Sequence, residues 1–143
     1  MVIYGLDPGV SCGFARYVGG KLDALFTMKP LDAIRFVETL ADGFLVVMED
    51  SRAISTDFRK RTKDNKAVSF AKGRSLGRVD GICALVDTAC RQKGIPLISL
   101  TPKEKGSKLD AEQLKALTGW DKRSNAHERD AALVAYPFRH KRG

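Results

Sequence analysis

The sequence has few cysteines and no long apolar run. Its three cysteines, Cys12, Cys83 and Cys90, are odd in number and form no CxxC pair. This pattern argues against a disulfide framework and favours buried thiols in a reduced compartment. No apolar stretch approaches the roughly 20 residues of a membrane span, and the N-terminal residues lack a secretory signal pattern. We therefore expect a cytoplasmic protein without a membrane partner.

Acidic residues are in the minority. The chain has 17 Asp and Glu against 25 Lys and Arg, which gives a net charge of +8. A charge of this size attracts polyanions, with nucleic acid as the leading candidate and an anionic membrane surface as the second. The 143 residues fit one domain, covering 1–143, with enough chain for a hydrophobic core.

Apolar patterning predicts an α/β domain. Pro-Gly and Gly-Gly turns separate three opening strands, and helical spacing alternates with further strands after them. The predicted strands cover residues 1–6, 12–18, 21–27, 44–48 and 97–100, and the predicted helices cover 31–41, 68–93, 110–117 and 126–136. These elements describe a mixed five-stranded sheet, with three antiparallel opening strands and two parallel ones, flanked by helices.

Three carboxylates occupy positions where separate segments should converge. Asp7 follows the first strand and Glu49 follows the fourth, and ligand sites in open α/β sheets gather outside such strand ends. On the last helix, His127 and Asp130 are three residues apart and share a face. Glu128 lies about 200° around that helix from Asp130 and should point elsewhere.

Such a cluster of hard oxygen ligands suits Mg²⁺ or Mn²⁺ better than zinc. With two ions bound, one would activate a water and the other would stabilise the leaving oxygen of a phosphoryl displacement. His127 would orient or deprotonate the water, or serve as a further ligand, although a capping or solvent-exposed role fits its position equally. The acids and the basic charge together predict a metal-dependent nuclease.

Simpler roles exist for each acid taken alone. Asp7 precedes Pro-Gly and could be a turn residue, and Glu49 could pair with Arg52 or another nearby base. Asp130 could be an ordinary residue of a helix surface. Asp50 adjoins Glu49, and strand alternation sends the two to opposite faces without telling which faces the site.

A basic stretch follows the second acid. Lysines and arginines alternate there with aromatic residues, as on surfaces that contact phosphates and stack on unpaired bases. A solvated loop is the alternative, and the lysines after the last strand could be a solvated turn or could neutralise phosphate near the metal site. The predicted DNA contacts are Arg52, Phe58, Arg59, Lys60, Arg61, Lys63, Lys66, Phe70, Lys72, Lys103 and Lys105.

Four segments, in this order, resemble the motifs of RuvC-type Holliday-junction resolvases of the RNase H-like superfamily, in a compact phage or prophage version. The similarity spans nearly the whole chain, although each motif alone is short. The segments are Gly5-Leu6-Asp7-Pro8-Gly9 with Gly13, Val47-Met48-Glu49, residues 65–79 with Ser69, Lys72 and Gly77, and Asp130-Ala131-Ala132.

The resemblance implies an RNase H-like sheet in which Asp7, Glu49 and Asp130 bind Mg²⁺, with Mn²⁺ able to substitute. It also implies a homodimer that cuts two opposing strands of a four-way DNA junction and leaves 5′-phosphates. The long helix, where Gly77 and Gly81 permit close approach, would form the dimer seam.

One position departs from the family pattern. Many members carry a second acid three residues before the last one, where this chain has His127, which leaves the fourth metal ligand open. Two rival functions remain at this point: an RNase H-like nuclease acting on RNA or RNA–DNA hybrid, and a catalytically silent nucleic-acid-binding module.

Overall fold

The structure is a computed structural model that describes residues 1–53 and 66–142. In the long helix that begins at Lys66, side chains are described from residue 73 onward, apart from residues 75 and 76. Among the described residues, no helix combines the length and apolarity needed to cross a bilayer.

Five strands form one mixed sheet with the order β3-β2-β1-β4-β5. The β1–β2 and β2–β3 pairs are antiparallel, whereas β1–β4 and β4–β5 are parallel. The predicted fold class is confirmed, including the three antiparallel opening strands. The strands are β1 (Val2–Asp7), β2 (Cys12–Val18), β3 (Lys21–Met28), β4 (Phe44–Glu49) and β5 (Leu97–Leu100).

The helices follow the predicted order with shifted ends. The first helix is shorter than expected because Thr39 forms its C-terminal cap. A short helix also lies in the expected basic turn, since the Thr101 hydroxyl accepts from the Glu104 N–H in a capping box. The helices are α1 (Pro30–Glu38), α2 (Lys66–Lys93), α3 (Pro102–Lys105), α4 (Ala111–Thr118) and α5 (Ala126–Ala135), with 3₁₀ turns at Ser51–Ala53 and Tyr136–Phe138.

Each face of the sheet buries its own core. On one face, α1 and α2 cover alternate strand residues such as Phe14 and Met48, and all three cysteines are buried there. On the other face, α5 packs its alanines against Ile3 and Val47. Because side chains alternate along a strand, this division also decides which acids face α5.

Candidate active site

The register of the two central strands brings Asp7 and Glu49 side by side. Leu6 pairs with Met48 in the parallel β1–β4 ladder, so the residue that follows each of them lies at the same end of the sheet. Alternation places both acids on the face that α5 covers, with Val47. Asp50 therefore belongs to the opposite face, which answers the question that the sequence left open.

Helix α5 approaches the sheet closely because two strand positions lack a side chain. A Cβ at Gly5 would overlap the carbonyl of Ala131, and one at Gly13 would overlap the carbonyl of His127. Three alanines of α5, Ala131, Ala132 and Ala135, are themselves fully buried. This close packing brings Asp130 over the ends of β1 and β4.

A ring of hydrogen bonds attaches the first turn of α5 to the outer strand β3. The Asn125 side chain caps the helix, and its amide donates to the Thr27 hydroxyl at 2.8 Å. That hydroxyl donates in turn to Glu128 Oε2 at 2.9 Å, while Glu128 Oε1 accepts from the Asn125 N–H at 3.0 Å. Glu128 thus points away from the acids, as predicted, and helps to fix the helix that carries His127.

Three carboxylates and one lysine form the centre of the site. Oxygen atoms of Asp7, Glu49 and Asp130 lie within 4.8 Å of one another. The Lys105 ammonium lies 3.1 Å from Glu49 Oε2 and 3.2 Å from Asp130 Oδ1, and its side chain is only 4% exposed. The predicted convergence of the three acids is therefore present. Glu49 also pairs with a base, as the alternative reading expects, but that base is Lys105, whereas Arg52 binds Asp50 and Asp87.

The surroundings of Asp7 favour its protonated form. Burial and the negative charges of Glu49 and Asp130 raise its pKa to about 7, although the hydrogen bond with His127 and the charge of Lys105 act in the opposite direction. Three acidic side chains thus share a cluster that contains one ammonium. Such a site favours an additional cation.

His127 borders the cluster on the solvent side. Its Nδ1 lies 3.3 Å from Asp7 Oδ2, and the side chain is 51% exposed. The ring thus touches one acid and keeps an accessible surface, a position suited to binding substrate, a water or a metal ion.

The donor set fits a divalent metal ion. Three carboxylates from three different elements offer convergent hard oxygen atoms, which are the ligands that Mg²⁺ and Mn²⁺ prefer. The ammonium drawn into the same cluster is itself a stand-in cation, which shows that the carboxylates attract positive charge.

Lys105 is the site residue whose position the sequence least revealed. The sequence predicts it in a solvated turn or beside phosphate near the metal site, and the structure places it inside the acid cluster itself. Arg129 is a second residue that the sequence reasoning passed over. Its guanidinium donates to the carbonyls of Leu109 and Ser124, both at 2.9 Å, and so ties the chain after α3 to α5. No sequence motif signals either long-range contact.

The other predicted nucleic-acid contacts are placed in different ways. The Arg52 guanidinium binds Asp50 at 2.8 Å and Asp87 at 3.2 Å, whereas Lys103 is exposed near the site. Lys66, Phe70 and Lys72 belong to α2, but their side chains lie outside the described part. The remaining predicted contacts lie outside the described residues: Phe58, Arg59, Lys60, Arg61 and Lys63.

Comparison with known proteins supports the architecture. No family model matches the sequence, and no curated protein matches it. Among solved structures, the chain is similar to T. thermophilus RuvC in complex with a Holliday junction substrate, with a TM-score of 0.54 and 15% sequence identity. The chain has a RuvC-like fold. The match covers 95% of this chain and 90% of that protein.

Proposed function

We propose that this protein is a Mg²⁺-dependent, structure-selective endonuclease that cuts four-way and other branched DNA junctions. The observation that carries the proposal is the convergence of Asp7, Glu49 and Asp130, whose carboxylate oxygens lie within 4.8 Å of one another. The RuvC-like fold and the net charge of +8 support a polyanionic substrate.

Each residue of the site has a part in the proposed hydrolysis. Asp7, Glu49 and Asp130 would hold Mg²⁺, or Mn²⁺ in its place, and two bound ions would supply water activation and charge neutralisation at the leaving oxygen. His127, in contact with Asp7, would orient the attacking water and accept its proton, or add a further ligand. Water attack on the phosphorus with breakage of its bond to the 3′ oxygen would leave a 5′-phosphate and a 3′-hydroxyl, the outcome that the resemblance to resolvases implies.

A basic surface would hold the DNA beside these residues. Lys103 is exposed near the site, and we propose that it contacts phosphate together with the basic residues between β4 and α2. Selectivity for branched DNA would come from the shape of the bound surface rather than from base edges, because phosphate contacts carry no sequence information.

We further propose a homodimer in which α2 lines the seam. Gly73, Gly77 and Gly81 recur every fourth residue, and Leu85 continues the row with 56% of its surface exposed. Within the described part of the chain, a Cβ built at any of the three glycines has no atom within 4 Å other than those of its chain neighbours and the helix's own backbone. A second α2 could therefore approach this face closely, which would place two active sites on one junction. Sedimentation measurements on the purified protein test this step.

A cleavage assay with three substrates tests the proposed activity. The full chain is incubated with labelled four-way junction, linear duplex and RNA–DNA hybrid, with and without Mg²⁺, beside Asp130→Asn. We expect paired nicks on the junction only, lost without Mg²⁺ and in the variant. Asp42→Asn removes an equal charge from an exposed loop and is the matched control, with unchanged cleavage.

Other outcomes identify the rival functions. Cutting of the hybrid alone would assign the protein to RNA processing. Junction binding without cleavage in either Mg²⁺ or Mn²⁺ would identify a silent binding module and overturn the proposed activity.

A further inference from the structure

Lys105 occupies the position that a bound cation would take. Its Nζ is within 3.2 Å of both Glu49 Oε2 and Asp130 Oδ1, and its side chain is almost fully buried. The ammonium is therefore a counter-ion built into the chain.

This ammonium and a divalent cation compete for the same oxygen atoms. Mg²⁺ binds carboxylate oxygens at about 2.0–2.1 Å. An ion held at that distance by both Glu49 Oε2 and Asp130 Oδ1 would come close to an ammonium already 3.1 Å and 3.2 Å from them. Repulsion between the two cations is strong at such a separation in a site with little water.

Lys105 lies in a short segment between strand β5 and Leu109. Helix α3 has four residues, and Gly106 follows it with a φ of 96°. Arg129 fixes the chain again at the carbonyl of Leu109. A new rotamer of the Lys105 side chain, or a new backbone conformation between Thr101 and Leu109, would move the ammonium out of the cluster. The sheet and α5 would keep their positions.

We propose that a divalent cation binds to the acid cluster by displacing the Lys105 ammonium from Glu49 and Asp130. The displaced side chain then stands beside the occupied site, free to pair with a DNA phosphate. The inference rests on the proposed metal-dependent function and adds an exchange of one cation for another. In the metal-free protein, the positive charge of Lys105 offsets the mutual repulsion of the carboxylates.

Metal binding without DNA gives the first test. Calorimetric titration with MgCl₂ should give an affinity for Lys105→Met that is higher than that of the unmodified chain by about tenfold or more, since the ion no longer competes with a buried ion pair. Lys93→Met removes the same charge from an exposed position at the end of α2 and should leave the affinity unchanged. Circular dichroism checks that both variants are folded.

Chemical labelling gives the second test and distinguishes displacement from simple repulsion. Reductive methylation with mass spectrometry measures how accessible each lysine is in the unmodified chain. Lys105 should be protected without metal and modified at least about fivefold faster in saturating MgCl₂, because its amine leaves the cluster. Lys103, exposed in the structure, serves as the internal control with equal rates in both conditions.

The outcomes separate this inference from the proposed function. Metal binding with unchanged labelling of Lys105 would overturn the displacement and leave the nuclease proposal intact. Equal or weaker Mg²⁺ affinity in Lys105→Met would do the same. Mg²⁺ binding in neither protein would overturn both, whereas binding in Lys105→Met alone would support the exchange in its strongest form.

Discussion

Two neighbouring acids, Glu49 and Asp50, enter opposite faces of the sheet and meet opposite environments. Glu49 joins Asp7 and Asp130 around one ammonium, and the pKa of Asp7 rises to about 7. Burial also acts to raise the pKa of Asp50, but hydrogen bonds and charge from Arg52 outweigh it, so the pKa of Asp50 is lowered. On the face of Glu49, three carboxylates share one ammonium, and we call this the unbalanced face. On the other face, Asp50 is paired with Arg52, and we call this the balanced face.

The balanced face has the character of a structural clamp. Arg52 donates through Nε and Nη2 to Asp50, and the same guanidinium reaches Asp87 on α2. Ser51 adds a hydrogen bond of 2.6 Å to Asp80 on that helix. This face holds the end of β4 against α2, whereas the other face keeps its carboxylates available. Burial beside Arg52 thus suits Asp50 to a structural role, whereas burial among like charges makes Asp7, Glu49 and Asp130 a candidate functional site.

The largest expected effect comes from removing the charge at the centre of the unbalanced face. Asp7→Asn should lower the junction cleavage rate by on the order of 10³-fold, because a metal ligand and its charge are lost together. Binding to the junction should persist or tighten, since one repulsive charge is gone. Gel-shift and cleavage assays on the same preparation measure both. Loss of folding or of all junction affinity would contradict this role.

The pH dependence of stability sharpens the same contrast. Because folding raises the pKa of Asp7 from 3.8 to about 7, its contribution to stability is complete below pH 4 and is lost as pH rises through 7. Between those limits, without metal, the unmodified chain should lose about 2–4 kcal/mol relative to Asp7→Asn. Urea titrations of both proteins at several pH values measure the difference. If the unfolding free energies of the two proteins changed equally with pH, folding would not raise the pKa of Asp7.

The balanced face should respond in the opposite direction. Asp50→Asn leaves the Arg52 guanidinium without its buried partner charge and should destabilise the fold by roughly 2–3 kcal/mol at pH 7. Asp42→Asn, at an exposed loop position, should change stability by less than about 0.5 kcal/mol. Thermal and urea unfolding measure both variants. A stabilised Asp50→Asn would abolish the distinction between the two faces.

The sequence predicted the elements and the unbalanced face better than the clamp. Apolar runs located the strands, and the acids that follow β1 and β4 had to meet once these strands were neighbours. Helical spacing placed His127 and Asp130 together by local geometry alone. Such predictions succeed because the spacing of apolar residues locates each strand and helix and shows which residues share a face.

The contacts that sequence reasoning missed join residues far apart in the chain. Arg52 meets Asp87 on another element, and Lys105 reaches Glu49 across 56 positions. A long flexible side chain has many possible partners, and its choice depends on where a loop lies after folding. Arg52 and Lys105 were therefore identified only as basic residues near the site, with their actual partners unassigned.

The smallest effect concerns the ring that fixes α5 on β3, which supports the site without entering it. Thr27→Val keeps the branched shape and removes the hydroxyl shared by Asn125 and Glu128, at a cost of about 1 kcal/mol. Because His127 and Asp130 follow in the same helix, cleavage should slow by about three- to tenfold. Single-turnover cleavage and urea unfolding measure the two effects.

The matched control for this last change is Thr39→Val. It removes the hydrogen bond that the Thr39 hydroxyl donates to the Phe36 carbonyl at the end of α1. It should cost a similar stability and leave the cleavage rate unchanged, because α1 lies on the other face of the sheet. Equal cleavage rates in the two variants would mean that the ring stabilises α5 without positioning the acid. A slower rate in Thr27→Val alone would show that the unbalanced face depends on an outer strand that contributes none of its carboxylates.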